Sequence, residues 1–242
     1  MIIVDVKEKK WALITGGSHG IGRSLAHYFV QKGFSLILIA SNIDRLIKTK
    51  IEIESQYPLS KVDIYSVDFN LPQQVEMIIP NIINRYDNLD VLVNSAGVLI
   101  AGNILTSLSD LKSLININLL STMIVCNIVA IKMKRQGFGE IYNIGSTAGL
   151  EPVSKIAAYS ATKAAIISYS QSLYQELLPF NVSVCCLCPS VVNTDMTDDG
   201  RIANDLKIEP EDLNKAMQFI RTLSSGAVMS MLSIRCRVID LE

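Results

Sequence analysis

Long hydrophobic runs, histidine and any excess of one charge are what this sequence is short of. No apolar stretch reaches the ~18 uninterrupted residues of a membrane-crossing helix, so no membrane span is expected. The 22 lysines and arginines nearly cancel the 23 aspartates and glutamates, leaving a net charge of -1. That balance excludes the basic footprint of a nucleic-acid-binding domain, and no nucleic acid is expected as a partner. His19 and His27 are the only histidines, too few for a histidine-based metal cluster, so no metal is expected. The cysteines do not change this. Cys185, Cys186 and Cys188 fall in "NVSVCCLCP", an apolar run that reads as a buried strand. Alternation sends Cys185 and Cys188 to opposite faces, so their C-x-x-C spacing makes no ligand pair. With Cys126 and Cys236 they read as small core residues. Disulfides are not needed, because a chain of this length buries about 70–75% of its unfolded surface.

Linkers, repeats and low-complexity segments are also missing, and the length suits one domain over residues 1–242. The opening "MIIVDVKEKKW" has no basic region leading into a long apolar run. It does not read as a signal peptide, and the expected location is cytoplasmic.

What is present is alternation. Short apolar runs rich in β-branched residues lie at 11–15, 35–40, 61–67, 90–95, 140–145 and 182–188, with a seventh expected within 231–239. Between them, helical spacing of apolar residues covers about 20–32, 42–56, 72–86, 109–136, 157–178 and 210–223. Repeated strand–helix–strand units predict a parallel sheet covered on both faces, and near-continuous apolar strands fit that burial. Right-handed crossovers then build a doubly wound α/β sandwich. Pro80 is expected to kink or end the third helix. The polar stretch 193–207 and the final helix, to about 225, form a candidate substrate lid. In such sheets ligands bind beyond the carboxyl ends of the strands, where the winding reverses.

"TGGSHGIG", Thr15 to Gly22, follows the first strand and opens the first helix. Gly16, Gly20 and Gly22 allow a sharp turn and a close approach to a pyrophosphate, which the helix N-terminus attracts. The end of the second strand reads "ILIASN", with Ser41 where NAD-binding sites usually place an acid. A carboxylate would repel a 2′-phosphate, so its absence favours NADP(H) over NAD(H). His19 and the Ser41 hydroxyl are candidates to meet that phosphate, and no arginine stands at the strand end.

These residues, with "NSAG" (94–97), Asn118, Ser146, "YSATK" (159–163) and "CPSVVNTDM" (188–196), resemble the short-chain dehydrogenase/reductase family in order and spacing. The resemblance runs from about Trp11 to Met196. It implies a single-domain Rossmann fold with a parallel sheet of about seven strands. It also implies that Gly16, Ser18, His19, Gly20, Ile21, Gly22 and Ser41 hold the cofactor, with Asp68 and Phe69 near the adenine. Asn94, Ala96 and Gly97 would line the cofactor at the fourth strand. Pro189, Val192 and Thr194 would hold the nicotinamide end. Asn118, Ser146, Tyr159 and Lys163 match the catalytic tetrad, the last two also touching cofactor. A homodimer or homotetramer is implied, through the helices at 109–136 and 157–178.

The chemistry suits those residue types. Hydride transfer to a carbonyl carbon requires a proton for the oxygen. A free phenol has a pKa of about 10, and a neighbouring cation favours its ionised form. Lys163 lies one helical turn from Tyr159 and supplies that cation. Ser146 can donate to the substrate oxygen as charge develops there, and Asn118 would anchor a proton-carrying water. The activity expected is an NADP(H)-dependent oxidoreductase acting on a small carbonyl or secondary alcohol. The alternative is a dinucleotide-sensing regulator without turnover. A sugar-nucleotide epimerase would need a large substrate domain, and little chain follows Met196. Two positions depart from the family. Pro189-Ser190 replaces the frequent Pro-Gly, and "IRCRVIDLE" lacks the Val-Asp-Gly-Gly ending of the oxoacyl-carrier-protein reductases, which weakens an assignment to fatty-acid synthesis.

Overall fold

In the computed structural model, which describes residues 9–238, the apolar runs form seven strands. They are β1 (Trp11–Thr15), β2 (Ser35–Ala40), β3 (Val62–Ser66), β4 (Val91–Asn94), β5 (Gly139–Ile144), β6 (Val182–Pro189) and β7 (Met231–Ile234). All pair in parallel, in the order β3-β2-β1-β4-β5-β6-β7. The start of the opening segment, 1–8, and the last residues, 239–242, lie outside the described residues.

Period-two alternation divides each strand between two apolar layers. Trp11 and Leu13 of β1 pack with α3 (Pro72–Ile83), α5 (Ser121–Gln136) and α6 (Ala157–Leu177). Ala12 and Ile14 pack on the opposite side with α1 (Gly20–Gln31), α2 (Ile43–Gln56) and α7 (Pro210–Arg221). Burial on both faces is why these strands read as continuous apolar runs. The same alternation puts Cys185 in the α1 layer and Cys186 and Cys188 against Ile166 of α6. All five cysteines are free and buried. No group of residues that could hold a metal ion occurs among the described residues.

Two helices refine the sequence reading. Of the kink or end expected at Pro80, the end does not occur: α3 continues to Ile83. The proline removes one N–H, and the carbonyl it would have served belongs to exposed Glu76, which water can satisfy. The stretch expected as one helix over 109–136 is three pieces: α4 (Leu108–Leu114), a π-helical segment (Ile115–Leu120) and α5. Within it the Ser121 N–H bonds the Asn116 carbonyl, an i→i+5 link. By length and composition Leu108–Gln136 would pass for a membrane-crossing helix. In the fold, Val125, Cys126, Val129, Ala130 and Met133 bury one side of it against the sheet, as in a core helix.

Candidate active site

The winding reverses between β1 and its neighbour β4, and the glycine turn leaves β1 at that point. Thr15 Oγ1 accepts from the Ser95 and Ala96 N–H groups, each at 3.2 Å, tying the turn to the end of β4. Gly16 has φ +68°, and a Cβ there would stand 2.8 Å from Ala96 N. A Cβ on Gly22 would come within 2.3 Å of the Gly16 carbonyl oxygen. Both glycines therefore let the chain pack on itself, and α1 docks tightly on the turn. At its start His19 makes no capping side-chain bond, and the first turn carries no acid. The N–H groups that no side chain caps and the positive end of the dipole suit an anion.

On the other side of the reversal lie the tetrad positions. Lys163 is buried in α6 and donates from Nζ to the Ile144 carbonyl at the end of β5, 2.8 Å away. Its Nζ stands 5.7 Å from the centre of the Tyr159 ring, one turn back on the same helix. Ser146 follows β5, and its Oγ accepts from the Ala148 N–H at 3.1 Å. Its hydroxyl hydrogen is thereby left to donate elsewhere. Asn118 sits in the π-helical segment, buried. Its Oδ1 accepts from Val98 N at 2.8 Å, and its Nδ2 donates to Val98 O at 2.9 Å and Thr162 Oγ1 at 3.3 Å. A Cβ on Gly97 would lie 3.4 Å from Asn118 Oδ1 and 3.7 Å from Lys163 Nζ, so glycine keeps the space before both groups open.

Not every expected position faces that space. Asn94 turns into the sheet, donating to Asn143 Oδ1 at 2.9 Å and Cys126 Sγ at 3.0 Å. Asp68 is exposed after β3 and accepts from Asn70 N at 2.8 Å. Phe69 is buried beside it, its carbonyl taking the Ser121 hydroxyl at 2.7 Å. Ser18, His19, Gly20 and Ile21 lie in the turn and first residues of α1. Ser41 is exposed at the end of β2, where its carbonyl accepts from Ser66 Oγ at 3.0 Å. Pro189 ends β6. Among the described residues the non-glycine positions with positive φ are Lys155 and Asn181, not Ser190, so serine fits there without strain. Val192 is buried and bridges Ile208. The following Thr194 reaches the glycine turn, its Cγ2 3.3 Å from where a Gly20 Cβ would be.

One charged group was not expected from the sequence. Arg45, in the first turn of α2, pairs with Asp195 across the glycine turn, Nη1 to Oδ2 3.3 Å. His19 lies in the field of both. Burial holds its imidazole below the ordinary value, Arg45 pushes the same way, and Asp195 opposes them. The sequence signal was faint: an arginine three residues past the cap Asn42, whose Oδ1 accepts from Arg45 N at 2.9 Å.

The parallel order, the reversal point and the glycine turn define a Rossmann-like oxidoreductase fold that fits a nicotinamide dinucleotide. An uncapped helix N-terminus suits the pyrophosphate, and the space kept by Gly97 leads to Lys163. Residues 10–205 match the short chain dehydrogenase family. The chain belongs to that family and is an NAD(P)-dependent oxidoreductase of small-molecule substrates. It is 29% identical to an uncharacterised oxidoreductase of Staphylococcus epidermidis over 234 residues, 96% of this chain and 99% of that one. It is similar to the crystal structure of a β-ketoacyl-acyl-carrier-protein reductase from Bacteroides thetaiotaomicron, with TM-score 0.84, 28% identity and coverage of 98% and 100% of the two chains. A short-chain dehydrogenase from Sphingobium yanoikuyae in complex with NADPH is also similar, with TM-score 0.82, 25% identity and coverage of 92% and 87%.

Proposed function

We propose that the protein moves hydride between NADP(H) and the carbonyl or secondary alcohol of a small substrate, with Tyr159 as general acid/base. The convergence of Ser146, Tyr159, Lys163 and Asn118 beside the ends of β4 and β5 carries this reading. The bound nicotinamide would supply or accept the hydride. In the direction of reduction, the Tyr159 hydroxyl gives its proton to the substrate oxygen. The Lys163 ammonium stabilises the negative charge left on the phenol oxygen. Ser146 donates its free hydroxyl hydrogen to the substrate oxygen, a bond that strengthens as charge builds there. Asn118 has both Nδ2 hydrogens engaged, so Oδ1, already bonded to Val98, is its side-chain contact for a water. Asn94 acts from below, holding β4 to β5 through Asn143.

The preference for NADP(H) is supported by the missing acid after β2 and by three groups that favour a 2′-phosphate: Ser41, His19 and Arg45. Residues 193–225 serve as the lid over the substrate, and Met196 and Leu206 expose apolar surface there. The working form is a homodimer or homotetramer in the cytoplasm, joined through the helical stretch 108–136 and α6.

A panel of ketones incubated with NADPH, followed at the cofactor's absorbance, tests the reading. Oxidation of NADPH by at least one ketone, with a slower rate from NADH, is the expected result. Tight NADPH binding with no turnover across a broad panel would make the protein a dinucleotide sensor instead.

A further inference from the structure

Asp195 belongs to the segment after β6, yet its carboxylate reaches across the glycine turn to Arg45 of α2. Two contacts fix that segment over the turn. Thr194 rests against Gly20, and Val192 bridges Ile208 on the far side. Arg45 is therefore held where the turn, His19 and the end of β2 meet. This is the corner in which a ribose 2′-substituent is recognised in such sheets, and an arginine there accommodates a 2′-phosphate.

We propose that Asp195 is a specificity-determining residue: its carboxylate and the cofactor's 2′-phosphate compete for the Arg45 guanidinium. The inference rests on the NADP(H) reading above. A 2′-phosphate carries more charge than a carboxylate and presents three acceptor oxygens, so it takes the guanidinium in bidentate fashion. Asp195 is then released to solvent, where it is 73% exposed and screened. A cofactor with a bare 2′-hydroxyl leaves the Arg45–Asp195 pair intact. Asp195 thus weakens NADP(H) binding without touching NAD(H) binding, and narrows the gap between the two. Both partners are substantially exposed, 49% and 73% for the two side chains, so the effect is that of a solvated ion pair. Removing one such competitor corresponds to an affinity change of about two- to fivefold.

The test is the dissociation constant of NADPH and of NADH, measured by quenching of the reduced nicotinamide fluorescence, for the native protein, Asp195→Asn, Arg45→Gln and the double variant. Asp195→Asn is expected to bind NADPH about two- to fivefold more tightly with NADH within error. Arg45→Gln is expected to weaken NADPH alone, and the double variant to match Arg45→Gln. If Asp195→Asn leaves NADPH affinity unchanged, lowers it, or raises both cofactors equally while the native protein prefers NADPH, the competition is refuted and the cofactor reading stands. An effect of Asp195→Asn that survives in the Arg45→Gln background likewise refutes it. A native protein that binds NADH as tightly as NADPH removes the cofactor reading, and the competition with it.

Discussion

Tyr159 and Lys163 illustrate how little a single residue does alone. The phenol is buried in the first turn of α6, and the ammonium that would stabilise its anion is anchored to the Ile144 carbonyl. Under the proposed chemistry, Tyr159→Phe removes the proton donor and leaves the ring packing against Leu114 and Ala148 in place. Turnover should fall by about 10²–10⁴, the usual contribution of a positioned acid or base. NADPH affinity should change little, so single-turnover rates and binding titrations together separate chemistry from binding. Undiminished turnover would dismiss the tyrosine. The thiols make a second expectation at this scale. Burial pushes Cys126 and Cys185 up to about 12, and all five cysteines are buried. A thiolate reagent at neutral pH should react with none of them in the folded protein and with all five after denaturation. Rapid labelling of the native chain would contradict this core.

Among the elements, the π-helical segment decides the most. A regular helix over 109–136 would rotate Asn118 away, whereas the extra residue per turn brings its amide onto both polar atoms of Val98. Helices α1 and α2 are clasped by Arg23 and Glu52, with His27 Nε2 3.3 Å from Glu52 Oε1. The Arg23 hydrogen bond holds the Glu52 carboxyl below its ordinary value of 4.5, against the opposing effect of burial. A lowered folded-state value means the clasp stabilises fully above 4.5 and is lost as pH falls through the folded value. Glu52→Gln should therefore lower stability at pH 7 by less than about 1 kcal/mol, since both groups are partly solvated. It should also flatten the decline of stability in acid, measured by urea denaturation at neutral and acid pH. A variant that loses stability in acid as steeply as the native protein would show the clasp to be inert.

For the whole molecule, the sheet order places the carboxyl ends of β1, β4, β5 and β6 side by side along one edge, and the two helix layers cover the faces of the sheet. The proposed assembly has a consequence at this scale. Ile115, Leu120 and Ile131 stand 48%, 42% and 53% exposed along the helical stretch. Light scattering should return at least twice the 26.6 kDa chain mass, and Ile131→Glu should shift the distribution toward 26.6 kDa. A native protein that scatters as a single chain would rule the assembly out.

The local pattern of residues was enough for the strands, the glycine turn and the Tyr-x-x-x-Lys pair, because apolar periodicity and turn chemistry act over a few neighbours. At Pro80 the local rule left two outcomes, a kink or an end, and packing of Ile79, Ile82 and Ile83 against the sheet carries α3 past the end. The inward turn of Asn94, the π-helical placement of Asn118 and the meeting of Arg45 with Asp195 were hidden. Each depends on contacts between segments far apart in the chain, and only the folded packing brings Arg45 within 3.3 Å of a residue 150 positions away. Fold and family are written in short-range chemistry. The electrostatics of the corner between the glycine turn and α2 come from long-range geometry, which no window of the sequence contains.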